Sequence, residues 1–185
     1  MLLGAHLAGI AFSNAPVAGV HALAYPLGGL FHLPHGLTNA LMLRPVLEHN
    51  AEAARELYAE LAPMLHPRVE PLGSQAQAKG FIDRVCALAA DTGLSLRLRD
   101  HGIGESDIPT LASEAMKQTR LLVNNPCPID EADARRLYES AWCAARNLVT
   151  APPTRVGGPS RRAGPTMTRT ATSTMSCTMP GSTRR

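Results

Sequence analysis

The first 43 residues contain no Asp, Glu, Lys or Arg; the first formally charged side chain is Arg44. This charge-free run constrains the fold more than any other feature of the chain. It must be covered by other protein or by lipid, or be broken into short pieces. The breaks are present: Asn14, Pro16, Pro26, Gly28-Gly29 and Pro34 interrupt it, and no span of about 20 apolar residues survives them. No basic residue precedes the apolar stretch, which argues against a secretion signal. The run therefore predicts a pair of helices buried inside a cytoplasmic protein, without membrane association.

Within those breaks the spacing predicts short helices. Residues 4–13 form the first, with Gly4, Ala8 and Ala11 allowing close packing. A second starts near Pro16 and ends at Gly28-Gly29, placing His21 mid-helix and Tyr25 one turn beyond it on the same side. Pro34 opens a third at its first position, and Pro45 bends its far end. Further helices are predicted over "AEAARELYAELAPML", over "QAQAKGFIDRVCALAADTG" capped by Ser74 with an apolar stripe of Phe81, Val85, Leu88 and Ala89, and over "TLASEAMKQTRLL" capped by Asp107. The last is "IDEADARRLYESAW", with Asp130 as cap, Asp133 three residues on, and Ile129, Ala134, Leu137, Tyr138 and Ala141 on a helical period. Ala and Leu dominate over aromatic and β-branched residues, and no window alternates as a strand does. The expected fold class is all-α, a bundle-like helical domain over residues 1–142.

The net charge of +3 hides two regions. Residues 1–142 carry 11 Lys and Arg against 15 Asp and Glu, whereas 143–185 carry seven Arg and no acid. The main part is mildly acidic, which removes the support for a nucleic-acid partner. The basic segment 143–185 is a low-complexity run of Thr, Ser, Arg, Gly and Pro, expected to be disordered because it cannot bury enough apolar surface. The four cysteines form no C-x-x-C pair and fit a reducing cytoplasm.

Three of the seven histidines fall in "HALAYPLGGLFHLPHG", residues 21–36. His35 follows Pro34 at a helix N-terminus, where the macrodipole disfavours imidazolium, and neutral imidazole is the metal-binding form. Two helices joined by a Gly-Gly break can bring His21 and His35 together. Spacing alone leaves two readings open: half of a metal site, or a pair of hydrogen-bonded histidines. His6, His32, His49, His66 and His101 show no comparable arrangement; His49 sits at a helix end and His101 in a loop.

The wider segment "AGIAFSNAPVAGVHALAYPLGGLFHLPHGLTNALMLRPVLEHN" resembles the iron-dependent, or group III, alcohol dehydrogenase family. The shared features are an AG-x-AF-x-NA helix, a following His and Gly, and PHG-x-x-NA. "IDEADARRLYESA" is similar to the family's last helix, so the resemblance covers about residues 4–141. It implies the helical C-terminal domain of an oxidoreductase that interconverts alcohols and aldehydes with NAD or NADP. It also implies a divalent metal, usually iron with Zn2+ an alternative, held by one Asp and three His. His21 and His35 match the last two of those histidines. The Asp, the first His and the Gly-rich cofactor loop precede this segment in the family and are not found here, so the expectation is weak metal binding and a fragment inactive alone. Tyr25 stands where the family commonly has a His near nicotinamide and substrate. It keeps a hydroxyl but shuttles no proton near neutrality. Arg44 stands where an apolar residue is usual. The implied partners are a small alcohol or aldehyde and either a second copy or an α/β subunit. The competing expectation is a non-catalytic helical interaction module.

Overall fold

A computed structural model of the chain describes residues 2–65 and 73–144. Among the described residues eight α-helices follow one another: α1 Leu2–Asn14, α2 Gly19–Phe31, α3 His35–His49, α4 Arg55–Leu65, α5 Ser74–Ala90, α6 Ile108–Met116, α7 Thr119–Leu122 and α8 Glu131–Cys143. Short 3-10 turns at Leu98–His101 and Glu105–Asp107 join α5 to α6. No strand occurs among the described residues, and the all-α expectation holds. His66 and the segment from residue 145 onward, where disorder was expected, lie outside the described residues.

The core is where α2, α3, α6 and α8 meet. Leu23 and Leu27, Leu41 and Met42, Leu111, and Leu137 and Tyr138 bring one face from each of these helices together. Each fully buried Leu or Met contributes about 1.5–3 kcal/mol of hydrophobic stabilisation. Tyr138 carries a hydroxyl into this core, and it donates to the Leu23 carbonyl at 2.7 Å. Burial pushes that phenol's pKa far above its ordinary value, because the phenolate has nothing to solvate it.

α8 begins as its sequence predicts. The Asp133 backbone N–H donates to Asp130 Oδ1 at 2.7 Å, and the Asp130 N–H donates back to Asp133 Oδ2 at 3.2 Å. Ile129, Ala134, Leu137, Tyr138 and Ala141 all face inward.

Several boundaries differ from the sequence expectation. α1 is not buried: every one of its residues is exposed, Gly4, Ala8 and Ala11 included. α2 starts at Gly19 rather than Pro16 and runs through Gly28-Gly29 to Phe31. Two glycines cost about 1 kcal/mol each in a helix interior, and the packing of Leu23, Ala24 and Leu27 outweighs that. The helix stops instead at His32, which takes a left-handed conformation with φ 54°. Pro34 is the residue before α3, not its first turn, and His35 is first in the helix.

On α5 the buried residues are Ala78, Ile82 and Cys86, one position away from the expected stripe, and Leu88 is exposed. α4 packs on α5 with Ala59 and Ala62 buried, and these small side chains let the two helices approach closely on the face of Ala78, Ile82 and Cys86. Phe81 flanks it, stacked on Tyr58 with centroids 5.2 Å apart. Gly73, not Ser74, precedes α5. Asp107 does stand immediately before α6 as expected, and its carboxylate accepts from the Gly104 N–H at 2.8 Å.

No single helix among the described residues is long and apolar enough to cross a membrane; α1 and α2 are bent by 104° at their junction.

Candidate metal centre

α2 needs a local side chain to satisfy its first N–H groups, and residues 15–18 offer none. The acceptor comes from 106 positions away: the Gly19 N–H donates to Asn125 Oδ1 at 3.2 Å. Asn50, just past α3, exchanges two amide hydrogen bonds with Asn125, at 3.0 and 2.7 Å. Asn125 Nδ2 also donates to the Cys127 carbonyl at 2.6 Å. One buried amide pair thus ties the start of α2 to the end of α3. The approach requires glycine. A Cβ at position 19 would stand 2.7 Å from Asn125 Oδ1 and 2.8 Å from Ile129 Cδ1.

With that junction fixed, His21 falls in the first turn of α2, not at mid-helix, and His35 is the first residue of α3. The two imidazole centroids lie 5.2 Å apart. Tyr25, one turn after His21, closes a triangle of rings at 6.2 Å from His21 and 6.0 Å from His35. Tyr25 is 42% exposed and His35 is also exposed, while His21 is half-buried. The cluster therefore opens outward. A cavity of about 510 Å³ adjoins it, with His21, Gly36 and Asn39 in its wall.

Both Nε2 atoms face one group. Asn39, one turn after His35, places its Nδ2 at 3.1 Å from His35 Nε2 and 3.3 Å from His21 Nε2. An amide nitrogen has protons and no lone pair to accept with. It donates to both rings, so each Nε2 offers its lone pair toward the same point. The His21 pKa is lowered, first by burial and then by the neighbouring His35 ring. A lone pair kept free of protons is what a metal ligand needs. Meanwhile Asn39 Oδ1 is buried without a hydrogen-bond partner. Two convergent Nε2 atoms and an orphaned oxygen beside them fit part of a divalent-metal ligand set. Among the described residues no group of three or more His, Cys, Asp or Glu could hold a metal ion.

The remaining histidines stand apart. His49 Nε2 donates to the Pro128 carbonyl at 3.1 Å, and His101 Nε2 to the Ser95 carbonyl at 2.7 Å. His32 ends α2, and His6 lies on exposed α1. Arg44 reaches from α3 to α5, bonding Glu48 at 2.9 Å and Asp83 at 3.1 Å. The Lys79 hydrogen bond, joined by Arg44, holds the Asp83 carboxyl below its ordinary pKa. A second cavity, about 410 Å³, lies beside Arg44, Asp83 and Cys86, and neither His21 nor His35 lines it. Sequence reasoning missed Asn39 as a site residue. Its signal was the four-residue step from His35 on one helix face.

Residues 1–142 match the profile of the Fe-containing alcohol dehydrogenase family, C-terminal. The chain is 39% identical over 142 residues to long-chain-alcohol dehydrogenase 1 of Geobacillus thermodenitrificans, a match covering 77% of this chain and 36% of that protein. It is 35% identical over 142 residues to lactaldehyde reductase of Escherichia coli K12, covering 77% of this chain and 37% of that one. The crystal structure of 1,3-propanediol oxidoreductase superposes with a TM-score of 0.69 at 35% identity, over 73% of this chain and 35% of the other. The chain thus spans little more than a third of the length of these relatives. With the profile matched across all of α1 to α8 but one residue, the chain belongs to the Fe-containing alcohol dehydrogenase family, in which it corresponds to the C-terminal helical domain.

Proposed function

We propose that this chain supplies the helical, metal-holding part of an iron-type alcohol dehydrogenase, and that it turns over alcohols or aldehydes only when joined to a nicotinamide-binding domain. The observation that carries this is the convergence of His21 and His35 Nε2 on one point, inside a family match over residues 1–142. His21 and His35 would hold the ion, Fe2+ or another divalent metal such as Zn2+. Bound there, the ion supplies Lewis acidity toward an alcohol or carbonyl oxygen. The half-buried His21 and the packed α2–α3 junction fix the direction of the two rings. Tyr25 presents a hydroxyl beside them for orienting a polar substrate group. The substrate class, a small alcohol or aldehyde, is taken from the names of the relatives. NAD or NADP would be bound by the completing domain, because the sequence offers no G-x-G-x-x-G loop to hold pyrophosphate.

Metal analysis and an NAD(P)-linked alcohol assay on one preparation of the 185-residue chain test this reading. The expected result is weak divalent-metal binding, abolished in His21→Ala and His35→Ala, with no turnover. Failure of the unaltered chain to bind any divalent metal overturns the metal role. Robust turnover by the chain alone overturns its dependence on a second domain.

A second reading, a non-catalytic helical docking module, draws on α1, whose Leu2, Leu3, Leu7, Ile10 and Phe12 are all exposed. It expects no metal dependence of any property of the chain, so the same titration separates the two.

A further inference from the structure

We propose that the cavity between α3, α5 and α8 binds a medium-chain aliphatic monocarboxylate, with its tail among alanine and leucine side chains and its carboxylate on the Arg44 guanidinium. The site is separate from the histidine cluster, since neither His21 nor His35 lines it. The inference therefore stands independently of the metal role proposed above.

Small side chains create the cavity. α3 packs against both α5 and α8, and Ala87 and Ala90 of α5 face the space together with Ala141 and Ala144. A methyl group at each of these positions is too short to close the gap, and about 410 Å³ remains. Leu43 and Leu96 extend the apolar wall. Small-molecule sites span about 300–1,000 Å³ and are mostly apolar with a few polar groups that fix orientation. Water is held poorly against such a wall, so an alkyl chain replaces it favourably.

The polar part of the wall specifies the head group. Arg44, Asp83, Cys86 and Ser140 line the same cavity. Arg44 commits only Nη1 to the protein, donating to Glu48 at 2.9 Å and to Asp83 at 3.1 Å. Its Nε–H and Nη2–H groups have no acceptor among the described residues. That edge of a guanidinium is the planar fork that matches both oxygens of a carboxylate. An alcohol has one oxygen and leaves half of the fork unused. Lys79 pairs with the second oxygen of Asp83 at 2.7 Å. Two cations and two acids thus balance before a ligand arrives, and its carboxylate meets no excess of negative charge. Burial raises the Cys86 thiol pKa, so the thiol is a neutral part of the wall at physiological pH.

The test uses the full 185-residue chain, stripped of metal with a chelator so that no ion holds the probe. Octanoate and 1-octanol, which share a chain and differ in head group, are titrated by calorimetry. Alkylation of Cys86 by N-ethylmaleimide is followed in parallel by mass spectrometry of its peptide, because Cys86 is only 5% exposed and lies in the cavity wall. The proposal expects octanoate to bind, to slow Cys86 alkylation, and to bind about tenfold or more tightly than octanol. It expects Arg44→Leu to weaken octanoate binding by about tenfold or more while octanol affinity holds. No octanoate binding, or binding that leaves Cys86 alkylation unchanged, overturns the site. Equal affinity for the two probes, or octanoate affinity unchanged in Arg44→Leu, overturns recognition of the carboxylate. Should Arg44→Leu fail to fold by circular dichroism, Ala87→Leu decides, since it fills the cavity from a half-buried position on α5. Undiminished octanoate binding in that variant overturns the proposal.

Discussion

α1 and α8 are each 13 residues long, and the chain treats them in contrasting ways. α1 has no charged residue and buries none of its side chains. α8 carries five charged residues and buries Ala134, Leu137, Tyr138 and Ala141. Apolar content alone would order them the other way. What differs is arrangement. On α8 the charges occupy one side and leave a single stripe that fits α3 and α6. On α1 the apolar residues lie all round, so no rotation about its axis is better than another, and no partner surface among the described residues receives it. Burial follows from a face that has a counterpart, rather than from hydrophobicity summed over a helix.

The sharpest way to break this contrast is to remove the anchor of α8. Tyr138→Ala deletes a fully buried ring together with its hydrogen bond to the Leu23 carbonyl. The expected loss is about 3–5 kcal/mol, read from urea unfolding. Tyr138→Phe should cost about 1 kcal/mol, the hydrogen bond alone. A small effect of the alanine variant would show that the α8 face is not what holds the core.

The same contrast shows what could be read from the sequence. α8 was readable because its determinants are local: Asp130 and Asp133 reciprocate within one turn, and the apolar period follows directly. The pairing of His21 with His35 was readable through the motif around them. The start of α2 was not, because its cap is Asn125, which no window around residue 19 contains. The end of α2 was misplaced because Gly28-Gly29 stops an isolated helix, while packing carries this one through to His32. The α5 face was misjudged by one residue because bulk suggested Phe81 and Leu88, whereas the buried face is that of Ala78, Ile82 and Cys86. The exposure of α1 was invisible to a reading that equated apolar with buried. Asn39 escaped notice because its role depends on His21, 18 positions away and on another helix.

A second prediction concerns that long-range cap. Gly19→Ala forces a Cβ against Asn125 Oδ1 and Ile129 Cδ1, at a cost of about 1–3 kcal/mol. It should also loosen His21 two residues on, and so weaken the divalent-metal binding proposed for the chain. Wild-type stability in this variant would show that the Asn50–Asn125 pair can shift freely, and that the α2 start is held by something else.

A smaller effect is expected at the cap of α8. Asp130→Ala should lower the urea midpoint near neutral pH by less than Gly19→Ala does. The Asp133 backbone hydrogen bond holds the Asp130 carboxyl below its ordinary pKa. The sign follows from that direction. The ionised form is favoured in the folded state, so its contribution is complete above the unfolded value of about 3.9. It is lost as pH falls through the lower folded value. The gap between the unaltered chain and Asp130→Ala should therefore close in acid. A gap independent of pH would mean that the carboxylate charge plays no part in the cap.

The smallest effect is expected where the apolar content is highest. Ile10→Gln and Leu7→Gln replace large apolar side chains of α1 that are 49% and 56% exposed. The same exchange at Leu23, fully buried on α2, would leave a polar amide in the core without partners and cost several kcal/mol. On α1 there is no such partner surface to lose, and Gln is as good a helix former as Ile or better. Both variants should unfold within about 0.5 kcal/mol of the unaltered chain. The comparison rests on measuring Leu7, Ile10 and Leu23 in one urea series. If Ile10→Gln costs as much as a core substitution, α1 is covered in solution by another part of this chain or by a second copy. A dependence of that cost on protein concentration then tells the two apart, since only covering by a second copy weakens on dilution.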